Sequence, residues 1–213
     1  MDLELGKPTD GPVARYLNRR VSRRITYLIV RNNLAVTPNQ VSLVSFLLAL
    51  LSSYLYLAKL PAIAGVLVQL SSIVDGVDGE LARVRGLQSR RGAFLDSVLD
   101  RYADVAIVVS AALYSTQLLG FWVVPVALLA LAGDLLVSYV HLRGEHDLGV
   151  HPALVGRVPA VASRDVRLFV VFLASLAEPL VPGSLGYSLV VLATLTHSYS
   201  ALKVVQLFKL GEG

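Results

Sequence analysis

Six apolar stretches alternate with short polar segments along this chain. They cover about residues 38–58, 61–82, 92–116, 120–142, 165–181 and 184–208. Wound as helices, runs approaching twenty residues match the hydrocarbon thickness of a bilayer. Pro61 and the cluster Pro179, Pro182 and Gly183 break the apolar pattern between stretches, as residues that end helices should. The pattern predicts an all-α polytopic membrane protein with six transmembrane helices. The segment 144–164, with its Gly, His, Pro and Arg, is the only long connection, and long loops are often functional.

Val13–Arg31 has a helical period of another kind. Val13, Tyr16, Leu17, Val21, Ile25 and Leu28 fall on one side, Arg15, Arg19 and Arg23 on the other, and Arg20 and Arg24 at the borders. This predicts an amphipathic helix lying in the membrane interface, with the Arg15–Arg24 run against anionic headgroups. Thr37-Pro38-Asn39 then reads as an N-cap with proline at the first helical position. The chain divides into a juxtamembrane segment, 1–36, and a membrane domain, 37–213.

Composition narrows this further. A mean hydropathy of +0.65 and 16% charged residues lie outside the range of soluble domains. The absence of cysteine excludes disulfides, thiolate catalysis and Cys-ligated metals. No cleavable signal peptide is expected, because an Arg-rich segment precedes the first apolar run. Seven cationic residues precede the first span, four lie at 83–91, four at 143–167 and two near the C-terminus, whereas the alternate side has only Lys59. That alternation follows the positive-inside rule. It predicts a multi-pass protein of the cell membrane with both termini and the 83–91 and 143–164 loops in the cytoplasm. The net charge of +4 is modest and distributed among these loops, and no nucleic-acid partner is expected.

The chemistry concentrates where the second span ends and the third begins. Asp75, Asp78, Gly79 and Ala82 share one helical face, and Gly92, Asp96, Asp100 and Asp104 climb the next helix in steps of four. Carboxylates inside apolar helices are costly and mark function. Four converging acids without matching cations point to bound metal, and an oxygen-only donor set suits magnesium or manganese. Gly79, Ala82 and Gly92 leave room for a neighbouring helix or a flat ligand. Arg83 lies at the mouth, where it can meet phosphate oxygens. Acids, metal and arginine at a cytoplasmic membrane edge suggest phosphate chemistry, with a carboxylate free of metal accepting a hydroxyl proton. Intramembrane acids also mark cation transporters. Those expect acids near mid-membrane and inverted repeats, and this chain has neither pattern. Arg101 and Asp104 are read as partners of nearby charges, Asp134 as either functional or a helix-to-helix bond, and His197 as an interior histidine.

The string Asp75-x2-Asp78-Gly79-x2-Ala82-Arg83-x8-Gly92-x3-Asp96-x3-Asp100 resembles the signature of the CDP-alcohol phosphotransferases, with eight fixed positions over 26 residues. The resemblance extends to the basic juxtamembrane helix, Thr37-Pro38-Asn39, the six spans, Ser138-Tyr139 with Arg143, and Ser163–Arg167. It implies a reaction in which the hydroxyl of a second alcohol attacks the β-phosphate of a CDP-alcohol and CMP leaves. It further implies that Asp75, Asp78, Asp96 and Asp100 hold a pair of magnesium or manganese ions and that Asp100 is the base. By the same resemblance Gly79, Ala82 and Gly92 line the nucleotide pocket, Arg83 supports it, and the protein is a homodimer. Lys7-Pro8-Thr9-Asp10-Gly11 and Ser163–Arg167 look most like the membrane half of archaeal di-myo-inositol-phosphate-phosphate synthases. Those often carry a fused N-terminal nucleotidyltransferase-like domain; with Met1 opening this chain, none is expected here. His141, Arg143, Arg164 and Arg167 sit where relatives that make inositol-phosphate lipids bind the acceptor's phosphate. Inositol phosphate is therefore the expected acceptor, with phosphatidylglycerophosphate or another phospholipid as the alternative product.

Overall fold

A computed structural model describes residues 6–156 and 158–210, and among them every regular element is helical. A π-helical turn, Ala14–Asn18, leads into α1 (Arg19–Arg31). Six helices follow: α2 (Pro38–Leu57), α3 (Pro61–Arg85), α4 (Arg90–Leu119), α5 (Val123–Leu148), α6 (Arg164–Ala177) and α7 (Ser184–Leu210). Thr37 opens α2 with a full capping box: its hydroxyl accepts from the Gln40 amide and the Gln40 side chain accepts from the Thr37 amide. Gly86, at φ 64°, ends α3 in the left-handed conformation, and Ser89 caps α4 by accepting from the Gly92 amide at 3.0 Å. These closely spaced signals turn the chain so that α4 runs back beside α3, with α2 packed against both and little direct contact between α3 and α4 themselves. Asp75 and Asp78 near the end of α3 are thereby folded onto Asp96 and Asp100 near the start of α4.

In lipid, helices associate by close packing rather than by escape from water. The core accordingly alternates small and larger side chains, among them Ala49, Ala64, Val68, Ala103, Ile107, Ala111, Ala130, Leu185 and Leu189. Where α3 crosses α6, a Cβ built on Gly65 would lie 2.4 Å from Ser175 Cβ; where α5 crosses α7, one built on Gly133 would lie 2.0 Å from Thr196 Oγ1. Leu47, Leu50, Leu113, Leu128, Val191 and Leu202 point outward and stay exposed, forming an apolar outer surface suited to lipid.

Five helices, α2 to α5 and α7, are long and apolar enough to cross a membrane. The sixth differs from the expected span at 165–181. It stops at Ala177 after 14 residues, which at 1.5 Å per residue is about 21 Å, short of a hydrocarbon core of about 30 Å. Glu178 keeps right-handed helical angles, φ −52° and ψ −41°, but Pro179 after it offers no amide to continue the ladder. The buried Glu178 carboxylate instead caps the start of α7, accepting from the Gly183 amide at 2.7 Å, the Ser184 hydroxyl at 2.9 Å and the Leu185 amide at 2.7 Å.

The N-terminal helix forms where its period predicts, yet its polar side is the buried one. Asn18, Arg19, Ser22 and Thr26 are buried, while Tyr16, Leu17, Val21 and Leu28 remain exposed. The partner is Glu80 of α3, fully buried, whose carboxylate accepts from Arg19 Nη1 at 2.8 Å, Ser22 Oγ at 2.7 Å and Thr26 Oγ1 at 2.8 Å. Asn18 adds bonds to Ser72 and Gln69. Of the arginine run, Arg19 thus belongs to the interior, and Arg15, Arg20, Arg23 and Arg24 remain exposed.

Candidate active site

Asp75 and Asp78 lie one turn apart on α3, and Asp96 faces them from α4. One carboxylate oxygen from each lies within 4.8 Å of the other two. Asp78 is buried and accepts hydrogen bonds from the Ser42 hydroxyl of α2 and the Gly79 amide. Asp100, one turn beyond Asp96, is met by Arg164 at the first turn of α6. Arg164 Nη1 lies 2.9 Å from Asp100 and 3.2 Å from Asp75, and its Nε donates to Asp104 at 3.0 Å. Among the described residues, neither Asp78 nor Asp96 has an ion-pair partner. Three carboxylates at this separation with one arginine between them leave negative charge uncompensated, and oxygen donors alone suit a hard divalent cation. The trio therefore fits the expected metal.

Two cavities flank the acids. The first, about 480 Å³, is lined by Thr37, Asn39, Asp78, Gly79, Ala82, Arg83, Gly92 and Asp96, among others. Gly79 and Gly92 serve this space and not helix packing. A Cβ on Gly79 would meet Arg83 Nη1 at 3.3 Å, and one on Gly92 would meet Ser89 Oγ at 3.0 Å and Asn39 Oδ1 at 3.2 Å, all ends of side chains. The second cavity, about 280 Å³, lies beyond Asp75 and Asp100 and includes Ser138, His141, His151, Ser163, Arg164 and Arg167 in its lining.

The four residues expected to hold an acceptor phosphate are not equivalent. His141 and Arg164 line the second cavity. His141 Nε2 lies 3.0 Å from the Tyr199 hydroxyl, and its ring packs against that of His151. Arg167 also lines the cavity, but it is buried and committed: Nε pairs with Asp134, Nη1 donates to the Ala162 carbonyl at 2.8 Å, and Nη2 lies 3.7 Å from Asp104. Arg143 is elsewhere, paired with Asp147 at 2.6 Å beside a separate apolar groove between α5 and α7. Arg101 joins Asp104, Asp134 and Ser138, so Asp134 is a helix-to-helix bond. His197 is half-buried, with Nε2 3.1 Å from the Leu129 carbonyl in an exposed contact, so it is satisfied there but is not the interior histidine expected.

Sequence reasoning missed several contributors. Ser42 and Asn39 come from α2, whose contribution no spacing within α3 and α4 reveals. His151 arrives on the long 144–164 connection, whose length was the available signal. Burial lowers its imidazole from the ordinary value, with Glu145 opposing and Lys203 adding to the shift. That connection is tied down by the buried Lys203 of α7, which donates to the Val155 and Val158 carbonyls, both at 2.8 Å. Lys7 and Asp10 come from the N-terminal segment. Burial alone would favour neutral Asp10, but Arg19 and the Lys7 amide hold its carboxyl below the usual range.

An acidic trio where α3 ends and α4 begins, open on two sides to polar cavities, marks a multi-pass helical membrane protein with a candidate metal site. The particular family follows from the sequence. Residues 35–199 match the CDP-alcohol phosphatidyltransferase family, and the chain belongs to it. The chain is 40% identical over 195 residues to the bifunctional IPC transferase and DIPP synthase of Thermococcus kodakarensis, covering 91% of this chain and 43% of that protein. The protein of the same name from Rubrobacter xylanophilus is 48% identical over 183 residues, covering 83% of this chain and 40% of its own length. The chain thus spans less than half the length of these two bifunctional relatives. The archaetidylinositol phosphate synthase of Pyrococcus horikoshii is 36% identical over 144 residues, 68% of this chain and 71% of that protein. The fold matches the crystal structure of Mycobacterium tuberculosis phosphatidylinositol phosphate synthase (PgsA1) with CDP-DAG bound. The TM-score is 0.72 at 21% identity, over 89% of this chain and 94% of that one. The same enzyme has been crystallised with manganese and citrate, and that structure matches at a TM-score of 0.71.

Proposed function

We propose that this chain transfers a substituted phosphate from a CDP-alcohol to the hydroxyl of a second alcohol and releases CMP. The observation that carries this reading is the acidic cluster between two cavities, one bordered by the small residues of the family signature and the other by arginine, histidine and serine. The nucleotide occupies the cavity of Gly79, Ala82, Arg83 and Gly92. Asp75, Asp78, Asp96 and Asp100 hold two divalent ions, magnesium or manganese. When bound, such ions would supply positive charge that offsets the charge building on the leaving phosphate.

The remaining steps belong to the chain's own groups. Asp100 takes the proton of the acceptor hydroxyl, and Arg164, 2.9 Å away, orients it. The hydroxyl oxygen bonds to the β-phosphorus. The bond from that phosphorus to the oxygen shared with the α-phosphate breaks, and CMP departs with the electron pair. The acceptor is a phosphorylated polyol, inositol phosphate above others. Arg164 supports that reading as a cation able to meet a phosphate, and Ser138, His141 and His151 offer partners for ring hydroxyls. The names of the relatives point the same way. The loop charges support a cell-membrane protein with its site facing the cytoplasm, and the family resemblance supports a homodimer.

The test is a panel. Purified protein with magnesium or manganese is given CDP-inositol or a CDP-linked lipid, paired with inositol phosphate, inositol, glycerol phosphate or serine, and CMP and product mass are read. Metal-dependent CMP release that is fastest with inositol phosphate is the expected result. A better acceptor among the other three sinks the acceptor assignment and spares the transferase. Cation flux in proteoliposomes without CMP release from any pair sinks both.

A further inference from the structure

Resting on the transferase reading, we propose that Lys7 is a catalytic residue whose ammonium meets the phosphate in transfer, and that Asp10 and Arg19 position it. Among the described residues Lys7 is the only one that lines both cavities. Its ammonium reaches over α3 beside the acids: a Cβ on Gly79 would lie 3.9 Å from Lys7 Cε and 4.0 Å from Nζ. Its charge acts on Asp96 of the acidic trio as well as on Asp10. The junction of two ligand spaces is where a group passing from one ligand to the other must lie.

The segment that carries Lys7 is anchored at several points. The Lys7 amide donates to Asp10 Oδ2 at 2.9 Å. Asp10 in turn receives Arg19 Nε and Nη2 in a bidentate pair, both at 2.9 Å. Arg19 is fastened to the metal-bearing helix through the Gly76 carbonyl at 3.0 Å and Glu80 at 2.8 Å. On the far side the Ala14 amide donates to Asp165 at 2.6 Å, and Gly11 sits so close to Ser163 and Asp165 that a Cβ would overlap both. The segment is clamped between α3 and the start of α6, the helix that brings Arg164. A solvated surface lysine needs no such frame.

Charge completes the argument. Arg19, Arg101, Arg164 and Arg167 are each paired with carboxylates; among the described residues Lys7 has no such pair. In phosphoryl transfer, negative charge spreads over the equatorial oxygens of the moving group, and a preorganised cation beside them acts mainly on the transition state. An ammonium on a flexible stem over an anchored backbone can follow a phosphorus that shifts between two cavities.

The experiment compares wild-type protein with Lys7→Ala, Asp10→Asn and the double variant, reading CMP release and thermal unfolding. Lys7→Ala is expected to lower kcat by about 10²-fold, the scale of losing one transition-state donor, with both KM values and Tm little changed. Ethylammonium added to Lys7→Ala restores part of the rate and does nothing for the wild type. The double variant is no slower than Lys7→Ala, because Asp10 acts through Lys7. Wild-type kcat in Lys7→Ala overturns the proposal and leaves the transferase reading standing. So does a loss that tracks a lower Tm and resists ethylammonium. A wild-type protein that releases no CMP from any donor and acceptor overturns both.

Discussion

Asp78 shows how a single residue is prepared for metal. Ser42 and the Gly79 amide fix its carboxylate, and no cation pairs with it among the described residues. Asparagine keeps the shape, with its oxygen accepting from the Gly79 amide and its NH2 facing a Ser42 hydroxyl that turns to accept, but it removes the charge that a hard cation requires. Asp78→Asn is expected to lose nearly all metal-dependent CMP release while unfolding at the wild-type temperature. Wild-type turnover in that variant would end the metal assignment. Glu80, two residues on, has the opposite character. Its carboxylate is spent on Arg19, Ser22 and Thr26 inside the protein. Removing one partner strands a buried charge, at a cost of about 3–5 kcal/mol, whereas replacing both is far milder. Glu80→Leu and Arg19→Met should each destabilise strongly, and the pair together should recover part of the loss. Strict additivity in thermal or denaturant unfolding would show that the two do not interact.

At the scale of elements, small residues do two different jobs that the sequence cannot separate. Gly65 lets α3 and α6 touch: an added methyl would sit 2.4 Å from Ser175 Cβ and 3.2 Å from the Phe172 carbonyl. Gly79 faces a cavity, where its added methyl would meet only the flexible ends of side chains, Arg83 Nη1 at 3.3 Å and Lys7 Cε at 3.9 Å. Gly65→Ala must force the helices apart, costing about 1–3 kcal/mol, and it should lower turnover as well, because α6 carries Arg164 to Asp100. Gly79→Ala should leave Tm nearly unchanged and raise the KM of the CDP-alcohol several-fold. If the two variants exchange these phenotypes, the division between packing and binding glycines is wrong. The amphipathic period of Val13–Arg31 likewise located its helix and left its orientation open, because arginine beside serine and threonine suits either headgroups or a buried carboxylate. Only Glu80, 61 positions from Arg19 in the chain, decides between them.

For the whole molecule, the arrangement of cationic loops makes a prediction about topology. The native chain has no cysteine, so single introduced cysteines report without background. Gln88→Cys, in the α3–α4 connection, should react with a membrane-impermeant maleimide only after cells are opened. Lys59→Cys, in the α2–α3 connection, should react in intact cells. The reverse pattern would place the acidic cluster on the outer face and detach it from cytoplasmic CDP-alcohols.

The sequence by itself determined the five long apolar helices and the acidic cluster, because each rests on spacing within one helix or two consecutive ones. Asp75, Asp78 and Asp96 meet through a connection of a few residues, and helical geometry leaves them little choice. What tertiary structure decided is everything assembled from distant segments. Arg164 turned inward to Asp75, Asp100 and Asp104, while Arg143, equally cationic and in the last two turns of α5, paired with Asp147 away from the cavity. Arg167 was drawn into the interior by Asp104 and Asp134. The length of α6 was set by Glu178 and Pro179 at its end, against the hydropathy that continued past them. Charge and apolar period tell a residue which medium it tolerates; the partner that claims it is fixed only when the helices pack.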